Sequence, residues 1–226
     1  MQITEIYRSI QGESSFAGLP CTFVRLTGCN LRCTWCDSEY TFTGGRKMPA
    51  EEVEGAVRRL AASGLVEITG GEPMLQEREL VPFMQTLLAG GYTVLLETSG
   101  ERPLAAVPRG VHKIVDVKCP GSGEGGRFDL ANLAALNRGD EVKFVLASRQ
   151  DYEFTREFVR QNGLESKVAG VIFSLAFRKD AGGERDASQC LLDPRALADW
   201  MVADGLNVRL GLQIHKFIWA PETKGV

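Results

Sequence analysis

The chain has 226 residues, 44% of them hydrophobic and 24% charged, which suits a single globular domain over 1–226 with a substantial buried core. A formal net charge of −3 leaves no overall basic footprint and argues against nucleic acid as a partner. The opening MQITEIYRSIQGES lacks an apolar core ahead of a small-residue cleavage site, so it does not read as a signal peptide. The longest apolar run, 168–177, is far short of the roughly 20 residues that span a bilayer, so no membrane partner is expected and the chain reads as cytoplasmic.

In chain order, CTFVRLTG (21–28) is the first strong strand candidate, short, β-rich and closed by glycine. A helix follows over MPAEEVEGAVRRLAASG, with Pro49 at a first-turn position, Glu51 and Glu52 in the first turn, and Gly64 as its stop. Val53, Ala56, Val57, Leu60 and Ala61 give it one apolar face. VEITGG is the next strand, and Leu80, Phe83, Met84, Leu87 and Leu88 mark a second helix that ends at Gly90 and Gly91. YTVLLETSG, HKIVDVKCP, EVKFVLAS, GVIFSLAF and NVRLGLQIH then read as buried strands, with helices at 151–161 and 194–204. In the latter, Leu197, Trp200 and Met201 share a face.

Strands that are almost continuously apolar and alternate with helices predict an α/β fold with a parallel sheet and outer helices. About six such units fit a partial (β/α)6-type TIM-like barrel better than a complete eightfold one. The segments 119–128 and 178–190, rich in glycine and charge, read as loops on the active-site side. Polar residues gather where strands should end: GGEP (70–73), Glu97 to Gly100, Asp116-Val117-Lys118, Ser174 and Gln213-Ile214-His215. In parallel α/β folds that edge is where ligands bind.

Three of the six cysteines, Cys29, Cys33 and Cys36, fall inside TGCNLRCTWCDS with the spacing C-x3-C-x2-C. In a reducing compartment such clusters mean metal or redox chemistry more often than disulfides. A structural zinc wants a fourth Cys or His from a second paired group. The chain offers only His112, His215 and the isolated Cys21, Cys119 and Cys190. Three thiolates on a [4Fe–4S] cube leave one iron free, and the spacing favours that arrangement over zinc. Three unligated core cysteines is the poorer reading, since Asn30, Arg32 and Asp37 interleave them.

Cys29-x3-Cys33-x2-Cys36 with Trp35 in its second gap, followed by TGGEP (69–73) after a strand, resembles the radical S-adenosylmethionine (SAM) superfamily. Within it, SIQGESSFAGLPCTFVRLTGCNLRCTWCDS, DVKCPGSGE and LQIHKFIW resemble the 7-carboxy-7-deazaguanine synthases of queuosine and 7-deazapurine biosynthesis, a likeness running from near residue 5 to near residue 219. The resemblance implies a carbon–nitrogen lyase that uses a [4Fe–4S] cluster, SAM and Mg²⁺. Its substrate would be 6-carboxy-5,6,7,8-tetrahydropterin, contracted to 7-carboxy-7-deazaguanine with loss of ammonia, SAM being regenerated. It further implies an external electron donor of flavodoxin or ferredoxin type and a homodimer.

Carried onto this chain, the family's pattern gives Cys29, Cys33 and Cys36 to the cluster and Ser38 to Mg²⁺. Trp35, Cys36, Asp37 and Gly71 would face SAM, as would Glu97, Ser99, Asp116, Val117, Lys118 and Ser174. Ile10, Gln11, Gly12, Glu13, Arg25, Thr69 and His215 would face the pterin. The chemistry agrees: a carboxylate such as Glu13 accepts the amidine-like N–H edge of a pterin, and Arg25 suits the substrate carboxylate. Alone, QGE reads as a polar turn, Arg25 as a salt-bridged strand residue, Ser38 as a cap and His215 as a packed strand residue. A glycyl-radical-activating enzyme shares the cluster and the GGEP-like turn, and a non-catalytic metal-binding or electron-transfer module is the reading from another class.

Overall fold

The computed structural model describes residues 1–179, 187–219 and 223–226, so part of the 178–190 loop lies outside the described residues. Nine strands among them form one sheet: β1 (Gln2–Ile10), β2 (Pro20–Leu26), β3 (Arg46–Lys47), β4 (Leu65–Gly70), β5 (Thr93–Thr98), β6 (His112–Asp116), β7 (Glu141–Leu146), β8 (Gly170–Leu175) and β9 (Arg209–Gly211). Their order is β3-β1-β2-β4-β5-β6-β7-β8-β9. Every pairing from β2 to β9 is parallel, whereas β1 runs antiparallel to both β2 and β3. Among the described residues no ladder joins β9 to β1 or β3, so the sheet curves as a partial barrel and stays open.

Helices α1 (Ala50–Leu60), α2 (Glu77–Ala89), α3 (Arg149–Gln161), α4 (Leu164–Lys167) and α5 (Pro194–Asp204) follow, with a short α6 (His215–Ile218) at the end. Pro49 stands one residue earlier than expected, as the N-cap of α1. The crossings from β5 to β6 and from β6 to β7 carry only turns and 3-10 segments. Pro103, Pro108 and Pro120 lie in them, with glycines at 121, 123, 125 and 126, and these interrupt helical hydrogen bonding.

Side chains alternate across each strand. One face sends Val24, Ile68, Val94, Leu96, Val115, Val142, Phe144 and Phe173 into the main core under the helices. On the other face Cys21, Phe23, Leu65, Leu95 and Ile114 form a smaller apolar layer. Nearer the carboxyl ends that same face turns polar, with Arg25 level with Thr69 and Asp116 level with Lys143. The inner face is therefore an apolar floor under a charged layer.

Two expectations are corrected. The antiparallel β1 precedes the strand at 21–28. Its register slips between Ile3 and Glu5, so the period-2 pattern is broken there and the strand hides in the sequence. The strand expected over NVRLGLQIH is confined to Arg209–Gly211, and His215 opens α6 instead. Leu210 of the edge strand β9 and Leu212 just after it are exposed, so their hydrophobicity does not report a buried strand.

At the amino ends of the strands, Asp140 accepts the backbone N–H groups of Lys113 and Asn137 and pairs with the Lys113 ammonium at 3.0 Å. Both side chains are buried. Asp140→Ala, which strands the lysine charge, should cost about 3–5 kcal/mol, read as a lower unfolding midpoint. Ligand affinities at the opposite edge should hold; parallel loss of both would refute the separation.

Candidate active site

The loop after β2 carries the three cysteines, all free and half-buried. The glycine-rich segment after β6 clamps it. Thr34 donates from its N–H to the Ser122 carbonyl (3.0 Å) and from its hydroxyl to the Gly121 carbonyl (3.1 Å), and the Arg32 N–H donates to Glu124 (2.6 Å). Arg32 turns back onto the Cys29 and Leu31 carbonyls and lies 4.2 Å over the Phe42 ring. Burial pushes all three thiols above their ordinary value, Cys33 to about 11, so taking up iron means displacing protons.

Among the described residues no three His, Cys, Asp or Glu side chains stand at single-ion distance from one another, so a zinc ion has no ready cage. A polynuclear cluster takes each thiolate on a different iron and suits three cysteines spread along one loop. Cys21 and Cys119 are buried away from it: Cys21 in the inner apolar layer, Cys119 with its sulfur 3.5 Å from the Thr155 hydroxyl. Cys190 is also buried.

The GGEP turn after β4 packs directly on this loop. A Cβ on Gly71 would lie 2.2 Å from the Gly28 carbonyl oxygen and 2.7 Å from Cys29 Cβ, so only glycine fits. Glu72 follows with its N–H on the Gly28 carbonyl (2.8 Å). Its buried carboxylate accepts from Met74 N–H, from the Thr98 hydroxyl (2.7 Å) and from both the N–H and hydroxyl of Ser99 (2.8 and 2.6 Å). The turn thus ties the cluster loop to the end of β5, and the Ser99 proton is committed to Glu72.

On the other side of the cleft, the Gln11 amide oxygen accepts the Glu13 N–H at 2.9 Å while its NH₂ donates to Glu67. Glu13 accepts from Gln213 Nε2 (2.6 Å) and pairs with Lys143. Gly12 leaves room for His215: a Cβ there would lie 2.1 Å from its Nδ1. Arg25 is aimed by Glu5 (2.9 Å) and the Tyr7 hydroxyl (2.5 Å), with Tyr40 also donating to Glu5. Asp37 accepts from Ser38 (2.9 Å) and pairs with Lys216 (2.7 Å); Asp116 pairs with Lys118 (2.8 Å).

Charge is crowded here. Burial alone would raise Glu13, but the Lys143 ammonium, His215 and the Gln213 hydrogen bond hold its carboxyl down to about 2. Burial and the neighbouring Glu97 and Glu13 push Glu67 well above its ordinary value, against the pull of Lys143 and Arg25. Burial also raises Glu97, although Lys143 opposes it. Among the described residues, Oδ1 of the buried Asp116 has no hydrogen-bond partner, in a carboxylate that lines the cleft.

A single cleft brings together Ile10 to Glu13, Arg25, Cys29, Trp35 to Ser38, Thr69, Gly71, Glu97, Ser99, Asp116, Lys118 and His215. Cys33 is part of the loop but does not line it. Val117 and Ser174 do not line it either. Val117 points into the main core with its N–H on the Lys143 carbonyl, and Ser174 packs where Gly211 passes. Sequence reasoning missed Lys143, Glu67, Tyr7 and Tyr40, all of which do. The one available signal was a charge at an inner-facing position of a buried strand, in EVKFVLAS and VEITGG.

Three half-buried cysteines, the glycine turn packed on them and the curved open sheet define a radical SAM protein, and residues 23–119 match the model of the radical SAM superfamily. Over its full length the chain is 71% identical to the 7-carboxy-7-deazaguanine synthase of Koribacter versatilis, covering 100% of both chains. It is 41% identical to that of Chlorobaculum tepidum, covering 100% of this chain and 97% of the other. The crystal structure of QueE from Escherichia coli matches with a TM-score of 0.70 at 22% identity over 93% of this chain and 92% of that one, a likeness of fold. The chain belongs to the 7-carboxy-7-deazaguanine synthase family.

Gly71→Ala should force the cluster loop aside at a cost of about 1–3 kcal/mol and lower the iron bound after reconstitution. Unchanged iron content would contradict the packing argument. Because Glu13 is depressed to about 2 from an ordinary 4.5, its stabilising charge is complete above the ordinary range and is lost only as pH falls through about 2. Carboxylate-resolved NMR should show no Glu13 transition across roughly pH 4–8; one near the ordinary value would refute its pairing with Lys143.

Proposed function

We propose that this chain is a 7-carboxy-7-deazaguanine synthase, contracting 6-carboxy-5,6,7,8-tetrahydropterin to 7-carboxy-7-deazaguanine with loss of ammonia. The observation that carries this reading is the single cleft that joins the three-cysteine loop to a pocket holding an ionised Glu13 opposite Arg25. Cys29, Cys33 and Cys36 would hold the [4Fe–4S] cluster; Trp35, Asp37 and Gly71, with Glu97, Ser99, Asp116 and Lys118, would hold SAM. Together these groups, once bound, supply the radical chemistry that starts the ring contraction.

The protein's own work is recognition and orientation. Glu13 accepts the N–H edge of the pterin, helped by the Ile10 to Gly12 backbone and oriented by Gln11. Arg25, held by Glu5 and Tyr7, meets the substrate carboxylate. Thr69 and His215 complete the contact. Ser38 offers its hydroxyl to Mg²⁺, which takes few protein ligands and would be shared with the substrate carboxylate. An electron donor of flavodoxin or ferredoxin type, a homodimeric state and a cytoplasmic location complete the proposal. No helix among the described residues is long and apolar enough to cross a membrane.

Anaerobically reconstituted protein with reductant, SAM and Mg²⁺ should convert carboxytetrahydropterin to carboxydeazaguanine; absence of that product with cluster verified would sink the assignment. Cys33→Ala should abolish 5′-deoxyadenosine formation. Glu13→Gln should weaken pterin binding by about 1.5–3 kcal/mol, the worth of a charged hydrogen bond, and leave SAM affinity unchanged. Equal loss of both affinities would contradict its role.

A further inference from the structure

Lys143 takes no part in the roles assigned above, yet it is the most heavily engaged cation in the cleft. It projects from the middle of β7, and its side chain is 2% exposed. Its ammonium pairs with Glu13 beyond β1, stands 2.6 Å from Glu97 on β5 and lies 3.7 Å from Asp116 on β6. In the reading above these carboxylates fall to two different subsites: Glu13 is assigned to the pterin, and Glu97 and Asp116 to SAM.

Three buried carboxylates that converge without a cation would repel one another, and each would protonate or swing out into the cleft. An ammonium suits the position because its three donors can be shared among partners approaching from different strands. A guanidinium presents a planar fork that matches a single carboxylate. The strand core on which the lysine stands is rigid, with Phe144 and Val142 packed beneath the helices on its opposite face.

We propose that Lys143 is a positioning residue that holds Glu13 and the Glu97–Asp116 pair in one arrangement, so that a single side chain sets both the substrate and the SAM subsites. The inference rests on the substrate reading above for its Glu13 half. Its SAM half rests on superfamily membership together with the assignment of Glu97 and Asp116 to SAM made above.

The test is Lys143→Met in the cluster-loaded full chain, with dissociation constants for SAM and for carboxytetrahydropterin measured separately by calorimetry. Both should rise by at least about tenfold, as expected when one partner of a buried charge group is removed. Lys143→Arg should restore the two affinities only partly, since the charge returns without the shared geometry. If Lys143→Met fails to fold, the double variant Lys143→Met/Glu97→Gln removes one of the stranded charges; it should fold and bind both ligands at least about tenfold more weakly than Glu97→Gln alone. Both affinities within about threefold of the parent, or a loss confined to one ligand, overturns the proposal. A parent protein that binds SAM but not the pterin sinks the substrate reading instead, and Lys143 is then judged on SAM alone.

Discussion

Buried negative charge is the constraint around which this cleft is organised. Glu13, Glu67, Glu97 and Asp116 converge on the inner face of the sheet, where removing an ionised carboxylate from water costs several kcal/mol unless a partner offsets it. The structure answers in two ways. Lys143 and Lys118 share Glu13, Glu97 and Asp116 between them, and Glu67, which lies beyond their hydrogen-bonding reach, is pushed towards its protonated form. An apolar inner layer of similar volume would be at least as stable, because buried ion pairs seldom outdo well-packed hydrocarbon. A charged layer persisting at this depth is therefore better explained by what it binds than by what it stabilises.

The same layer follows from strand periodicity. Each parallel strand sends alternate side chains to the helices and to the concave face, and all the parallel strands finish on one edge. Apolar side chains near the amino ends, such as Cys21, Phe23, Leu65 and Leu95, support the polar side chains one or two layers above them. The cysteine loop leaves β2 and the glycine turn leaves β4, its neighbour in the sheet, so they must meet; Gly71 against Cys29 is where they do. The glycine-rich segment after β6 then closes over the loop from the other side, which accounts for its lack of a helix: its backbone carbonyls at Gly121 and Ser122 serve as acceptors for Thr34.

Features with a fixed local spacing were legible in the sequence. C-x3-C-x2-C, GGEP and the helix at Pro194–Asp204 depend on near neighbours, and each stands where periodicity and spacing put it. Features that depend on partners far along the chain were not. Lys143 meets Glu13 across 130 positions, and nothing in EVKFVLAS announces that a lysine flanked by valine and phenylalanine has three carboxylates waiting for it. Val117 sits beside cleft residues in sequence, yet its side chain points into the main core, because a one-residue step along a strand reverses the face; Ser174 shares the inner face with Val145 but packs against the passing Gly211 and does not line the cleft. The first strand escaped for a related reason, since its bulge breaks the alternation that would have revealed it.

The two ends of the sheet approach one another through polar side chains rather than through a ladder. No strand ladder closes the barrel among the described residues; instead the segment after β9 returns to the loop after β1. The Ile214 N–H donates to the Gly12 carbonyl at 2.9 Å, and His215 fills the space a Gly12 side chain would need. Gln213 then reaches Glu13, and Lys216 reaches both Gln213 and Asp37 of the cysteine loop. Closure by one backbone hydrogen bond and these few polar side chains makes the seam depend on Glu13 and Asp37, two of the residues that line the cleft. The lining of the cleft and the closure of the fold thus draw on the same small set of charges.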